Sequence, residues 1–222
     1  RPAGRHARTP RRRLAPAPLA APSFSSLSAA AAAAAVAVRG VLTQTQRQQI
    51  LSVHNRERCR RGLPPMTWLA ALESVATDYA NTCAHFSAGP PASFTHSNKP
   101  ARYQSYATYG GSGTVGENLA ATSDTSQSLT FLTQLWANER FDWSCSGGTC
   151  GSGKVCGHYV QMMWTDSVKI GCAVKTCSGW KTLVCNYENI VQTGQRPFPS
   201  SMCSNNYASC SAVPPPPPPP TA

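Results

Sequence analysis

The stretch VKIGCAVKTCSGWKTLVCNY, Val168–Tyr187, holds two runs of alternating residues on either side of Ser178-Gly179. Side chains of a strand point to opposite faces in turn, and a Ser-Gly pair between two such runs fits a two-residue hairpin loop. Counting outward from that loop sets Cys172 directly opposite Cys185. Opposed side chains in an antiparallel pair come within roughly 4.5–5.5 Å at Cβ, a separation that suits a disulfide. The hairpin therefore carries its own register and its own crosslink.

Helical signals surround it. TQTQRQQILSVHNRERCRRG reads as a helix capped by Thr43 or Thr45 and ended by Gly62. PPMTWLAALESVATDYANTC repeats apolar residues at steps of three and four from Trp68 to Cys83, with Thr67 as the expected cap. SQSLTFLTQLWANERFDW predicts a third helix, whereas Ser87–Gly116 reads as a long Gly/Ser/Tyr/Pro loop. Helices and a small sheet in one chain predict a single α+β layered domain over residues 41–212.

The formal net charge of +11 points toward nucleic acid until its distribution is read. Residues 1–40 hold seven arginines and no acid, and the remainder has 13 Lys+Arg against 9 Asp+Glu. The body is thus mildly basic, with no basic stripe interleaved with aromatics, and nucleic acid is set aside. Residues 1–40 read as a leader, Arg-rich and then Ala-rich. Ala35-Val36-Ala37 fits a signal-peptide cleavage site, and an organellar transit peptide is the rival reading. No stretch is long and apolar enough to predict a transmembrane helix. Residues 213–222, PPPPPPP with its flanks, read as a polyproline II tail or linker. All ten cysteines lie beyond the leader without a C-x-x-C pair, which favours disulfides and an extracellular setting over a zinc module.

Two nucleotide motifs fail on context. GSGTVG (Gly111–Gly116) matches G-x-G-x-x-G but follows a loop rather than a buried strand. GTCGSGKV (Gly148–Val155) lacks the hydroxyl a P-loop needs after its lysine, and Cys150 and Cys156 bracket it as a disulfide-closed loop.

Glu139 continues the apolar stripe of Leu129, Leu132 and Trp136, and a carboxylate there needs a partner. CGHYVQMMW (Cys156–Trp164) raises the matching question for His158, which opens an almost wholly apolar run. FTHS (Phe94–Ser97), GENLA (Gly116–Ala120), Trp136 with Glu139, GHYVQMMW, IGCAVKTC and VCNY stand in the order seen in the CAP superfamily, the cysteine-rich secretory, venom-antigen and plant pathogenesis-related proteins. The chain resembles that superfamily over about residues 45–198. The resemblance implies a three-layer α-β-α sandwich with a cleft holding His96, Glu117, Glu139 and His158, a set suited to zinc or another divalent cation. It also implies the disulfides Cys83–Cys177, Cys150–Cys156 and Cys172–Cys185. Cys203–Cys210 is then expected as a local pair, leaving Cys59–Cys145.

The interval from His96 to Glu117, which holds Tyr103, Tyr106 and Tyr109, is longer than the resemblance leads one to expect. The resemblance to fungal members makes these tyrosines candidates for a lipid- or sterol-binding loop, and tyrosines lying on the surface are the alternative reading. His54 is expected to bond structurally and His85 to lie partly exposed at a helix end. The favoured function is a secreted, non-enzymatic domain that binds lipid, sterol or a partner surface in defence or the extracellular matrix. The alternatives are a metal-dependent hydrolase with Glu117 or Glu139 as general base, and a wall or matrix component on a proline-rich stalk. G-x-S-x-G and H-E-x-x-H are both missing, so no committed catalytic residue emerges.

Overall fold

A computed structural model describes residues 42–205 and residue 210; the leader and the polyproline tail lie outside the described residues. In chain order the helices are α1 (Gln44–Arg61), α2 (Ala70–Thr82), α3 (Lys99–Thr108), α4 (Leu129–Asn138) and α5 (Gly157–Met163). The strands are β1 (Thr67–Trp68), β2 (Phe86–Ser87), β3 (Ser93–Phe94), β4 (Val115–Thr122), β5 (Trp143–Ser144), β6 (Thr149–Cys150), β7 (Lys169–Cys177) and β8 (Trp180–Glu188).

The central sheet runs β1-β7-β8-β4, with β1 parallel to β7 and the other pairs antiparallel. Its β7–β8 hairpin has the expected register, Cys172 opposite Cys185, and those cysteines are bonded. Ser178 and Gly179 adopt φ of 49° and 80°, the left-handed values that a type I′ turn demands. Alternation divides the sheet between two layers. Ile170, Cys172, Leu183, Cys185 and Tyr187 join a core with α1, α4 and α5. Ala173 and Val184 join Ala76 and Ala80 of α2 on the other side. The result is the expected α-β-α sandwich.

Local chemistry explains the helix ends. Thr43 and Gln46 form a reciprocal capping box on α1, and Gly62 ends it at φ 75°. Arg58, fully buried, donates to Met162 O at 3.0 Å and Trp164 O at 2.9 Å, satisfying carbonyls at the end of α5. Burial lowers its pKa to about 10, so it stays charged at neutral pH.

Three expectations are corrected. Thr67 does not cap α2: it pairs with Lys169 in β1, and Leu69 precedes the helix without a side-chain cap. Ser87–Gly116 is not an irregular loop throughout, because Asn98 caps α3 by accepting from Ala101 N and a proline sits in the first turn. Cysteines 203 and 210 do not pair with each other, nor 59 with 145. The bonds are Cys145–Cys203 and Cys59–Cys210. The reason is the path of the tail. Arg61 Nη1 donates to Cys203 O and Asn205 O, holding the 3₁₀ turn Ser200–Ser204 against the end of α1. The other three bridges are as expected, and all ten cysteines are bonded.

The sheet meets α2 closely at Gly171, where an added Cβ would lie 2.1 Å from Glu73 N and 2.5 Å from Leu72 C. Those are backbone atoms and cannot rotate away. Gly171→Ala is therefore expected to cost about 1–3 kcal/mol in urea unfolding, an overpacking penalty. His54 provides a second test. Burial lowers its pKa from 6.5 to about 4, although its bond to Ile50 O raises it, and Arg58 adds repulsion. The unfolded chain takes up that proton below about pH 6.5 and the native chain only near pH 4, so stability falls as pH drops through this window, by on the order of 3 kcal/mol. Urea midpoints between about pH 7 and about pH 4 should fall more steeply for the wild type than for His54→Gln.

Candidate functional site

Glu117 stands on β4 opposite Asn186, with its side chain 1% exposed. It accepts from His96 Nδ1 at 2.8 Å, Ser97 N at 2.9 Å and Ser97 Oγ at 2.7 Å. Arg102 of α3 completes the group, with Nη1 3.1 Å from Glu117 Oε1 and 2.8 Å from Ser97 Oγ. Burial pushes the Glu117 pKa up, but the bonds from His96 and Ser97 and the Arg102 charge outweigh it and hold the carboxyl below its usual range.

The second pair is built alike. Glu139 accepts from His158 Nδ1 at 2.5 Å and from Tyr159 N at 3.0 Å. It lies at the start of the 3₁₀ turn Glu139–Phe141, one residue beyond α4, so it leaves the helical stripe while keeping the direction that serves His158. Trp136 stacks on the His158 ring at 6.1 Å between centroids and 19° between planes. Asn118 bridges His158 O and Tyr187 Oη, each at 3.1 Å, and Tyr187 Oη meets His54 Nε2 at 2.9 Å. His54 is therefore structural, as expected.

A carboxylate at Nδ1 fixes each ring as the Nδ1–H tautomer and leaves the Nε2 lone pair available. Neither Nε2 has a hydrogen-bond partner among the described residues. Both rings line one open cleft of about 370 Å³ with Ser97, Lys99, Arg102 and Glu117, and Val155, Ile190 and Val191 supply its apolar part. The two histidines and two glutamates are thus brought together as two pairs rather than as four converging donors. Among the described residues no group of three or more His, Cys, Asp or Glu is arranged as a metal-ligand set.

Sequence and fold comparisons show the family. The profile of the cysteine-rich secretory protein family matches residues 51–187. The chain belongs to the CAP family. It is 36% identical over 146 residues to pathogenesis-related protein 1A1 of Solanum lycopersicum, covering 65% of this chain and 72% of that protein. It is 31% identical over 159 residues to pathogenesis-related protein 1B of Nicotiana tabacum, covering 70% and 82%. Among solved structures, venom allergen-like protein 4 of Schistosoma mansoni matches with TM-score 0.51 and 24% identity over 73% of this chain and all of that one. NaASP2, solved with Zn²⁺, matches with TM-score 0.53 and 20% identity over 78% and 92%. This is therefore a CAP-domain protein of a defence-related family, and its five disulfides fit an extracellular setting.

The tyrosine segment differs from the expected loop. Tyr103, Tyr106 and Tyr109 do not form an open aromatic loop, because their segment is α3 and its C-cap. Tyr106 is buried with Leu72, Val75 and Val115; Tyr103 and Tyr109 pack against that cluster, and Tyr109 Oη donates to Asp78. His85 is also buried rather than partly exposed, with Nε2 2.7 Å from Thr182 Oγ1. Two members of the group carry no motif that marks their role in the sequence: Ser97, which donates to Glu117, and Arg102. The one signal near Arg102 is the cap-and-proline start Asn98-Lys99-Pro100, which places it one turn into a helix. Replacing Arg102 by Met leaves Glu117 buried without its fixed charge. We expect a stability loss of about 3–5 kcal/mol, read by urea unfolding, and a rise in the Glu117 pKa, read by carboxyl NMR titration.

Proposed function

We propose that this chain is a secreted, non-enzymatic binding domain acting in defence or at the cell exterior. Its cleft takes a divalent cation of zinc type through His96 Nε2 and His158 Nε2. Glu117 and Glu139 orient those rings from behind, in the carboxylate–histidine arrangement that sharpens metal affinity. A bound cation would supply a Lewis-acidic centre with positions open to water or to an oxygen atom of a ligand. Val155, Ile190 and Val191 offer the apolar surface a lipid, a sterol or a partner side chain needs. NaASP2, a protein of this fold, is described with Zn²⁺, which is consistent with the reading.

One observation carries the non-enzymatic part. Both carboxylates already hold hydrogen bonds through both oxygens, to His96 and Ser97 in one case and to His158 and Tyr159 N in the other. The Glu117 side chain is only 1% exposed and Glu139 does not line the cleft, so neither carboxylate faces a water there as a general base must. Glu117 is moreover held below the usual carboxyl range, which weakens it further as a base.

Calorimetric titration with zinc should show binding that is lost in His96→Ala/His158→Ala. Glu139→Gln should weaken it about 10–100-fold, the usual effect of removing an orienting partner. Equal zinc affinity in wild type and the double variant would remove the cation site. Zinc-dependent cleavage of a peptide library, abolished by Glu139→Gln, would restore the hydrolase.

A further inference from the structure

Away from the cleft, one buried carboxylate gathers three guanidinium groups. Glu57 of α1, 2% exposed, lies 3.1 Å from Arg60 Nη1, 3.1 Å from Arg140 Nη1 and 3.5 Å from Arg56 Nε. Arg56 and Arg60 come from α1 and Arg140 from the turn after α4, so the cluster spans two elements. Three positive charges share one negative, and their side chains remain 30%, 34% and 26% exposed. A guanidinium has five N–H donors, and contacts with Glu57 and Gln134 use only some of them. The buried carboxylate thus holds the three forks in place while leaving donors for an external anion.

The same region exposes apolar side chains. Of the five large hydrophobic residues exposed among the described residues, Phe131, Leu135 and Phe141 all fall between α4 and the turn after it. Phe131 and Leu135 are four apart and share a helix face. Phe141 is 75% exposed, with Arg140 stacked 4.3 Å from its ring centroid. Arg56 bonds Gln134 of α4, which ties the arginines to the helix that bears the apolar residues.

We propose that this face, Arg56, Arg60 and Arg140 with Phe131, Leu135 and Phe141, docks on an anionic phospholipid bilayer. Surplus guanidinium charge complements phosphate headgroups, and protruding Phe and Leu side chains enter the headgroup boundary. An acidic polysaccharide would match the charge, but it gives the aliphatic Leu135 no apolar medium to enter. Arg140 and Phe141 share the turn of Glu139, but none of the six residues lines the cleft, so the surface stands whether or not the cleft binds a cation.

The test is co-sedimentation of the full chain with phosphatidylcholine vesicles, with and without phosphatidylglycerol. Residues 1–13 bring six arginines of their own, so the readout is the difference between variants in the same chain. Phe131→Ser/Leu135→Ser/Phe141→Ser changes only exposed positions, and near-UV circular dichroism checks its fold. It should lose most of the binding to anionic vesicles. Arg60→Gln alone should weaken that binding roughly fivefold, the effect of about 1 kcal/mol per surface arginine. Unchanged binding in both variants, or equal binding to neutral vesicles, would overturn the proposal. So would capture by polygalacturonate with no vesicle binding.

Discussion

Sliding β8 by one residue against β7 would move Leu183, Cys185 and Tyr187 from one helical layer to the other and bring Val184 in their place. Both faces of this sheet are buried, so no solvent side exists to accept the exchanged residues. The slip would also separate Cys185 from Cys172 and withdraw Tyr187 Oη from His54 and Asn118. The hairpin register therefore sets the spacing of both layers, and through Asn118 it reaches the backbone of His158 in the cleft.

On that frame the cleft is assembled from elements far apart in the chain. His96 precedes α3, Glu117 lies in β4, Glu139 follows α4 and His158 opens α5. Each imidazole is held from behind by a carboxylate, and each carboxylate is held in turn by backbone N–H or hydroxyl groups. Arg102 differs from the other members because it carries fixed charge to a buried position, its side chain 3% exposed beside Glu117. Without it Glu117 would pay for burial with no permanent cation beside it. The cleft consequently presents two imidazole edges, each oriented by the carboxylate behind it.

The two charged clusters make a useful contrast. Around Glu117 one arginine is 3% exposed and balances one carboxylate, so little charge is left over. Around Glu57 three half-buried arginines face one carboxylate, and the excess remains at the surface. The first arrangement stabilises a site; the second leaves a field for something outside the molecule.

Several features were legible in the residues alone because their causes are local. The turn Ser178-Gly179 sets the hairpin register, and Thr43 and Gly62 bound α1. The cleft residues have no such local cause; only the resemblance of the ordered His and Glu motifs to the CAP superfamily points to them as a set. Other features were not legible. The Tyr- and Ser-rich composition of residues 99–108 hid a helix whose apolar face is a few tyrosines and one buried arginine stem. The bonds Cys59–Cys210 and Cys145–Cys203 join positions 151 and 58 residues apart, and they depend on where Arg61 holds the returning chain. By itself the sequence determined the β7–β8 pairing and the helices α1, α2 and α4, since turn chemistry, caps and side-chain period act over a few neighbours. Only the tertiary structure decided which carboxylate holds which imidazole, that Arg102 balances Glu117, and how the last four cysteines pair. Those outcomes are distances between elements, and packing alone sets them.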